Sequence, residues 1–123
     1  MDYYLASDEK NKKQAKSLIR KLKSKGFNCL NEVFYIDNSV SDSEEQSEKA
    51  IEKAAFILIY LTAGKGSLHE IGYALSLQKK IILYSPEKEN YHIGKNSIFR
   101  NMPEVMISSG TFYKLVKQLR TME

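Results

Sequence analysis

Segment 62–74 holds the residues of this chain that are best suited to chemistry. Its central part reads Gly64-Lys65-Gly66-Ser67-Leu68-His69-Glu70. Glycines let the backbone approach a ligand closely, and a serine at the start of a helix can cap that helix or donate its hydroxyl. Glu70 follows one turn later, and its carboxylate repels a phosphate held at the turn. The combination therefore predicts chemistry beside a bound anion rather than anion binding alone.

The residues on either side of this turn predict a strand before it and a helix after it. Residues 54–61 form an apolar run typical of a fully buried strand, and residues 68–78 repeat with helical spacing. In an α/β sheet, such a strand–turn–helix unit presents backbone N–H groups to a phosphate. The predicted phosphate ligands are Gly64, Gly66 and Ser67. Lys65 either steers the anion by its charge or stays solvated.

The rest of the chain alternates apolar runs with amphipathic stretches, which predicts strands between helices. The predicted strands are 3–6, 27–34, 55–61, 80–85 and 104–107. The first predicted helix is 10–25, capped by Ser7-Asp8 and stopped by Gly26. A second helix follows the polar segment 38–47 and runs to about Lys53, a third is 68–78, and a last helix is capped by Ser108 or Ser109. Segment 87–101 predicts a loop or an irregular helix with no assigned role.

Strands that alternate with helices form a parallel sheet covered on both faces. Right-handed crossovers then favour a flavodoxin-like (Rossmann-like) α/β fold, a three-layer sandwich around a five-stranded parallel sheet in the order 2-1-3-4-5. Its ligand crevice lies between the carboxyl ends of strands 1 and 3, next to the Ser7-Asp8 loop and segment 64–70. No internal repeat or linker interrupts the pattern, so we predict one domain over residues 1–123.

Composition excludes several function classes. The chain has 123 residues, 42% of them hydrophobic, and a formal net charge of +4. This mild excess suits a phosphorylated small molecule, and we expect the lysines of the first helix to form a solvated face, not a nucleic-acid patch. No apolar run reaches the roughly 18 residues of a membrane helix, and no signal-peptide pattern is present. The lone Cys29 predicts a core residue in a cytoplasmic protein, and one cysteine with two distant histidines argues against a zinc site.

Segment 64–75 resembles the nucleoside 2-deoxyribosyltransferase family and its nucleotide N-glycosidase relatives. In this family the segment consists of a small-residue turn, a glutamate, and then Leu or Ile, Gly, Tyr and Ala. This chain has Glu-Ile-Gly-Tyr-Ala at 70–74. The strand end Tyr4-Leu5-Ala6-Ser7 and the strand at 79–84 extend the resemblance. A second similarity is to the Gly-Gly-x-Gly-Thr-x-x-Glu signature of nucleoside-monophosphate phosphoribohydrolases, present here with Ala63 and Ser67 in place of Gly and Thr.

The resemblance implies an enzyme that cleaves the N-glycosidic bond of a nucleoside or its 5′-monophosphate, by hydrolysis or transfer. It implies that Glu70 is the nucleophile at the anomeric carbon and that Tyr4 helps to orient it. Gly64, Gly66 and Ser67 then hold a 5′-phosphate, and Ser7 contacts sugar or phosphate. Neither a metal nor an organic cofactor is expected. Relatives of this kind are usually oligomers, so we expect this protein to form a homodimer or a larger homo-oligomer.

One departure from the family pattern keeps other functions open. Family members commonly place an aspartate at the start of the third strand, where this chain has Ala54-Ala55-Phe56. The first alternative is therefore a module that binds a nucleotide or a nucleotide-derived signal without cleaving it. The second is a TIR-like domain that cleaves NAD, which also uses a glutamate on a flavodoxin-like sheet. A crevice wide enough for a dinucleotide favours the second alternative.

Overall fold

The computed structural model describes residues 1–7, 11–37, 43–60, 67–85 and 103–122. The strands are β1 (Asp2–Ala6), β2 (Asn28–Cys29), β3 (Phe56–Tyr60), β4 (Lys80–Ser85) and β5 (Val105–Ser109). The helices are α1 (Lys12–Ser24), α2 (Val33–Ile36), α3 (Glu44–Lys53), α4 (Ser67–Ser76) and α5 (Phe112–Arg120). The strands form one parallel sheet in the order β2-β1-β3-β4-β5, so the predicted flavodoxin-like topology is confirmed.

The sheet separates two apolar layers because alternate residues of a strand face opposite sides. Tyr3 and Leu5 of β1 pack with the buried residues of α1 and α5. Tyr4 and Ala6 pack on the other side, with α3 and α4. The central strand β3 is buried along its whole length, as its unbroken apolar sequence predicted. Tyr4 therefore projects towards α3 and α4, the layer that also contains Glu70.

The second strand is much shorter than predicted. Only Asn28 and Cys29 pair with β1, and the chain then turns into α2 instead of continuing as a strand to residue 34. The cause is Asn31, whose amide takes the place of a backbone peptide. Its Oδ1 accepts from the Leu5 N–H at 3.0 Å, and its Nδ2 donates to the Leu5 carbonyl at 2.8 Å. The side chain completes the β1 ladder, so the backbone is released from it.

Two predicted helix caps are wrong. Ser108 and Ser109 lie in β5, and Thr111 caps α5 by accepting from the Lys114 N–H at 3.3 Å. Gly110 makes the connecting turn with a φ of 101°, a left-handed conformation that glycine adopts without strain. At the other end of the chain, α1 begins at Lys12 after Asn11, so Ser7 is not its cap; Asp8 lies outside the described residues. Gly26 does end α1, as predicted, with a φ of 91°.

Helix α3 begins earlier than predicted, at Glu44, because Ser43 caps it by accepting from the Gln46 N–H at 3.1 Å. Ser47 is consequently a residue of the helix and not part of a polar segment before it.

Within the described residues, no helix is both long enough and apolar enough to cross a bilayer.

The Asn31 amide should be a main support of the sheet edge. We expect Asn31→Ala to lower the free energy of unfolding by about 2–3 kcal/mol, since it leaves the buried Leu5 N–H without its partner. Urea unfolding measures this loss, and Asn28→Ala, the same change at an exposed position of β2, provides the control. A loss confined to a few tenths of a kcal/mol in both variants contradicts the role given to Asn31.

Cys29 is buried in β2, as predicted, and burial raises the pKa of its thiol from 9.0 to about 12. The folded protein thus binds the thiol proton more tightly than the unfolded chain does. The stabilisation that this proton provides is therefore complete below pH 9 and declines towards pH 12. We expect wild type to lose on the order of 1–2 kcal/mol more than Cys29→Ala between about pH 9 and 10.5. Urea unfolding at the two pH values tests this, and an equal loss in both proteins refutes it.

Candidate functional site

Glu70 lies in the first turn of α4, the helix that follows the carboxyl end of β3. Ile71 and Ala74 are buried against the sheet and fix the helix there, while Glu70 itself is half-buried. The first turn is the positive end of the helix dipole, which favours an ionised carboxylate. The glutamate therefore lies at the edge of the core, at the end of the sheet where ligands of this fold bind.

Tyr4 reaches Glu70 from the sheet. Its side chain is only 2% exposed, and its hydroxyl lies 3.5 Å from Glu70 Oε1 and 3.2 Å from Ser47 Oγ. The contact joins β1 to α4 and α3, three elements that are distant in the sequence. The structure thus brings together the two residues that were predicted to act in catalysis, and their catalytic roles stay a prediction.

Ser47 is a site residue that the sequence analysis missed. It is 3% exposed and faces Tyr4 from α3. The signal was present, since Ser47, Ile51 and Ala54 have the i, i+4, i+7 spacing of one helical face, and the other two are fully buried. A serine on an otherwise apolar face needs a polar partner, and Tyr4 supplies one.

The C-terminal halves of α3 and α4 are joined by direct hydrogen bonds. The Tyr73 hydroxyl donates to Glu52 Oε1 at 2.5 Å, and this bond is the main cause that raises the pKa of Tyr73 to about 12. Lys79 Nζ donates to the carbonyls of Glu52 at 2.9 Å and Ala54 at 2.8 Å, which lie at the negative end of α3. These bonds fix the spacing of the two helices that carry Ser47 and Glu70.

The backbone after α4 places Lys79 in this position. Gln78 adopts a left-handed φ of 58°, which turns the chain out of the helix and back towards β4. The Lys79 N–H then donates to the Ala74 carbonyl at 3.0 Å and closes the helix end. Within the same helix, Ala74 is fully buried and Tyr73 is half-buried.

Ser7 belongs to a different set of contacts. Its hydroxyl donates to the Tyr35 hydroxyl at 3.1 Å, which in turn donates to the Leu5 carbonyl at 3.0 Å. These bonds anchor the end of β1 to α2. The structure therefore places Ser7 at the carboxyl end of β1, as predicted, but bonds it to Tyr35 and not to the Tyr4–Glu70 pair. Tyr35 was missed because its segment was predicted to follow a longer strand.

The remaining predicted ligands are only partly within the described residues. Ser67 is the first residue of α4, one position earlier than the predicted helix start. Gly64, Lys65 and Gly66 lie outside the described residues, as does the loop 87–101. In the part of the chain that the structure describes, no three His, Cys, Asp or Glu side chains come together as a metal site.

The position of the missing aspartate is also defined. Ala54 caps the C-terminus of α3 and, with Ala55, precedes β3, so both lie at the amino end of the strand. Glu70 lies near the start of α4, and the ten residues of this helix span about 15 Å. Lys79, which contacts the Ala54 carbonyl, follows the opposite end of the helix. An aspartate at 54 or 55 is thus near the end of the sheet opposite Glu70. Its absence removes no group from the Tyr4–Glu70 contact.

Comparison with known proteins identifies the fold over the whole chain. No protein-family model matches the sequence, and no curated protein matches it. A solved structure that is similar is that of the Clostridium botulinum CMP N-glycosidase BcmB, with a TM-score of 0.61 and 24% sequence identity. The match covers 98% of this chain and 99% of that chain. The two proteins therefore share a fold.

The bonds of Lys79 should contribute measurably to stability. We expect Lys79→Met to lower the free energy of unfolding by about 1–2 kcal/mol, because it removes two charge-assisted hydrogen bonds from carbonyls at the end of α3. Lys80→Met, which alters the exposed neighbouring lysine, should change it by no more than about 0.5 kcal/mol. Thermal and urea unfolding of the two variants decide the matter, and equal effects rule out the proposed bracing of α3 by Lys79.

Proposed function

We propose that this protein is an N-glycosidase that cleaves the bond between base and sugar in a nucleoside 5′-monophosphate, or in the corresponding nucleoside, with Glu70 as nucleophile. The observation that carries this proposal is the contact of the Tyr4 hydroxyl with Glu70 Oε1 at 3.5 Å, at the start of α4. A carboxylate held by a buried phenol in this position is suited to react with an electrophilic carbon. The resemblance in segment 70–74 and the fold shared with a CMP N-glycosidase support the same chemistry.

The proposed reaction has two steps. A carboxylate oxygen of Glu70 attacks the anomeric carbon while the C–N bond breaks, and the base leaves with the bonding electrons and takes up a proton from solvent. The oxocarbenium-like transition state carries positive charge, which the anionic glutamate stabilises. Water, or a second base, then attacks the same carbon and loses a proton to solvent, while the bond to Glu70 breaks and the carboxylate is restored. Water as acceptor makes the protein a hydrolase, and a second base makes it a deoxyribosyltransferase.

The phosphate of the substrate is proposed to bind at the N-terminus of α4. Ser67 begins this helix, and the preceding residues Gly64, Lys65 and Gly66 complete the proposed binding turn. Helix N-termini attract phosphate through their unpaired N–H groups and their dipole. Ser7, at the carboxyl end of the adjacent strand β1, is proposed to contact the sugar or phosphate. CMP is the first substrate to test, because the similar solved structure is named for it.

The proposal also covers the oligomeric state of the protein and its need for a cofactor. We expect the protein to act as a homodimer or larger homo-oligomer, and we expect no metal or organic cofactor to be required. Size-exclusion chromatography with light scattering measures the first. Activity that survives treatment with a chelator supports the second.

Base release from a panel of nucleosides, 5′-monophosphates and NAD tests the function directly. We expect wild type to release the base from at least one monophosphate, and Glu70→Ala and Glu70→Gln to lose about 10³-fold or more of that rate. Glu45→Gln, at an exposed carboxylate of α3, is the matched control and should retain full activity.

The other outcomes distinguish the alternatives. Release of nicotinamide from NAD, dependent on Glu70, makes the protein a NAD glycohydrolase. Tight nucleotide binding by wild type and Glu70→Ala, with no release from any substrate, makes it a binding module. Base release that survives in Glu70→Ala overturns the role given to this residue.

A further inference from the structure

The Tyr4 hydroxyl lies between two oxygen atoms, 3.2 Å from Ser47 Oγ and 3.5 Å from Glu70 Oε1. A phenol carries a single hydrogen, so it donates to one of these atoms at a time and accepts through its own oxygen. A serine hydroxyl can donate as well as accept. The order of the three groups therefore permits a directed chain in which Ser47 donates to Tyr4 and Tyr4 donates to Glu70.

We propose that Ser47 is a positioning residue that donates to the Tyr4 oxygen and thereby directs the Tyr4 hydrogen to the Glu70 carboxylate. This inference deepens the proposed function, on which its catalytic meaning rests. Ser47 itself does not touch the substrate. Its effect on the reaction passes through Tyr4.

Two observations favour this direction of the chain. An ionised carboxylate is a stronger acceptor than a neutral hydroxyl, so the single Tyr4 hydrogen is drawn to Glu70 whenever that group is charged. Ser47 and Tyr4 are 3% and 2% exposed, so bulk water competes little for their hydroxyls. In such surroundings a donor to the Tyr4 oxygen polarises the phenol and strengthens the bond that the phenol donates.

The hydrogen-bond chain from Ser47 through Tyr4 to Glu70 has a defined use in both steps of the proposed reaction. Before attack, it holds one oxygen of the charged Glu70 and leaves the other for the anomeric carbon. After attack the glutamate is a neutral ester, a weaker acceptor, so its bond to the Tyr4 hydrogen weakens. When the ester bond breaks, negative charge returns to Glu70 and this bond strengthens again. The same two hydroxyls thus serve an attacking and a departing carboxylate.

Other ionisable groups lie on the same two helices and are kept constant in the test. Glu48 and Glu52 of α3 both interact with Tyr73 of α4. The other ionisable residues of the two helices are Glu44, Glu45, Lys49, Lys53 and His69. Ser47 neighbours Glu48 in the sequence, so a change at 47 that merely displaced α3 would also disturb the Tyr73–Glu52 bond. The titration of Tyr73 therefore reports a purely structural effect.

A double-mutant cycle tests the inference through Ser47→Ala, Tyr4→Phe and the double variant, with Ser76→Ala as the control at an exposed position of α4. The first readout is the pH titration of the Glu70 carboxyl by ¹³C NMR, which requires no turnover. The second is the acid limb of the pH profile of kcat/KM. We expect Tyr4→Phe to raise the Glu70 midpoint by about one pH unit and Ser47→Ala by roughly 0.3–0.5.

The decisive result is the effect of Ser47→Ala in the Tyr4→Phe background. No further shift there, with Tyr73 unchanged in every variant, supports a role that passes through Tyr4. An equal shift with and without Tyr4, or no shift in either background, overturns the inference. Ser47→Thr keeps the hydroxyl and should restore the wild-type midpoint. If Ser47→Ala does not fold, Ser47→Cys, with its weak thiol donor, takes its place in the cycle.

The two proposals fail in different ways. If no substrate is cleaved but the NMR shifts follow the cycle, the Ser47–Tyr4–Glu70 chain stands and the proposed function falls. If base release depends on Glu70 but Ser47→Ala leaves the midpoint and the acid limb unchanged, the function stands and the role of Ser47 falls.

Discussion

Complete burial of the central strand β3 is the constraint on which the rest of the structure depends. Its residues are at most 8% exposed, so each face of the strand needs its own layer of apolar side chains. Parallel strands obtain these layers from crossover helices. Here α1 and α5 cover one face, and α3 and α4 cover the other. A polar group that enters this core costs least where it finds a partner, because an unpaired buried group is costly.

The candidate site is such a place. The ring of Tyr4 fills a core position of β1 opposite Ile57, while its hydroxyl extends to the boundary between α3 and α4. Ser47 and Glu70 meet it there, and the hydrogen bonds that offset the burial of these groups are the ones proposed to orient the carboxylate. Stability and the proposed chemistry depend on the same contacts, which is why each variant at the site needs a matched control.

The surrounding structure limits movement of these groups. Lys79 and Tyr73 join α3 to α4, and Asn31 and Tyr35 hold the end of β1 through Leu5. A reaction slows greatly when its nucleophile is misplaced by about 1 Å. A site built around a nucleophile therefore requires hydrogen bonds that hold its helices and strands in place. They are contributed by residues outside the recognisable motif, and other members of the same fold need not share them. The fold alone therefore does not decide the chemistry, which is proposed to reside in Glu70 and its immediate neighbours.

The sequence by itself determined the alternation of strands and helices, the sheet order and the position of Glu70 in the helix that follows the third strand. It could do so because apolar periodicity is a local property and right-handed crossovers leave few topologies. Only the tertiary structure ended β2 at Cys29, ahead of Asn31, moved the last cap to Thr111 and placed Ser47 against Tyr4. Asn31 meets a residue 26 positions away and Ser47 one 43 positions away, and such distances are set by the packing of three layers, which no local pattern encodes.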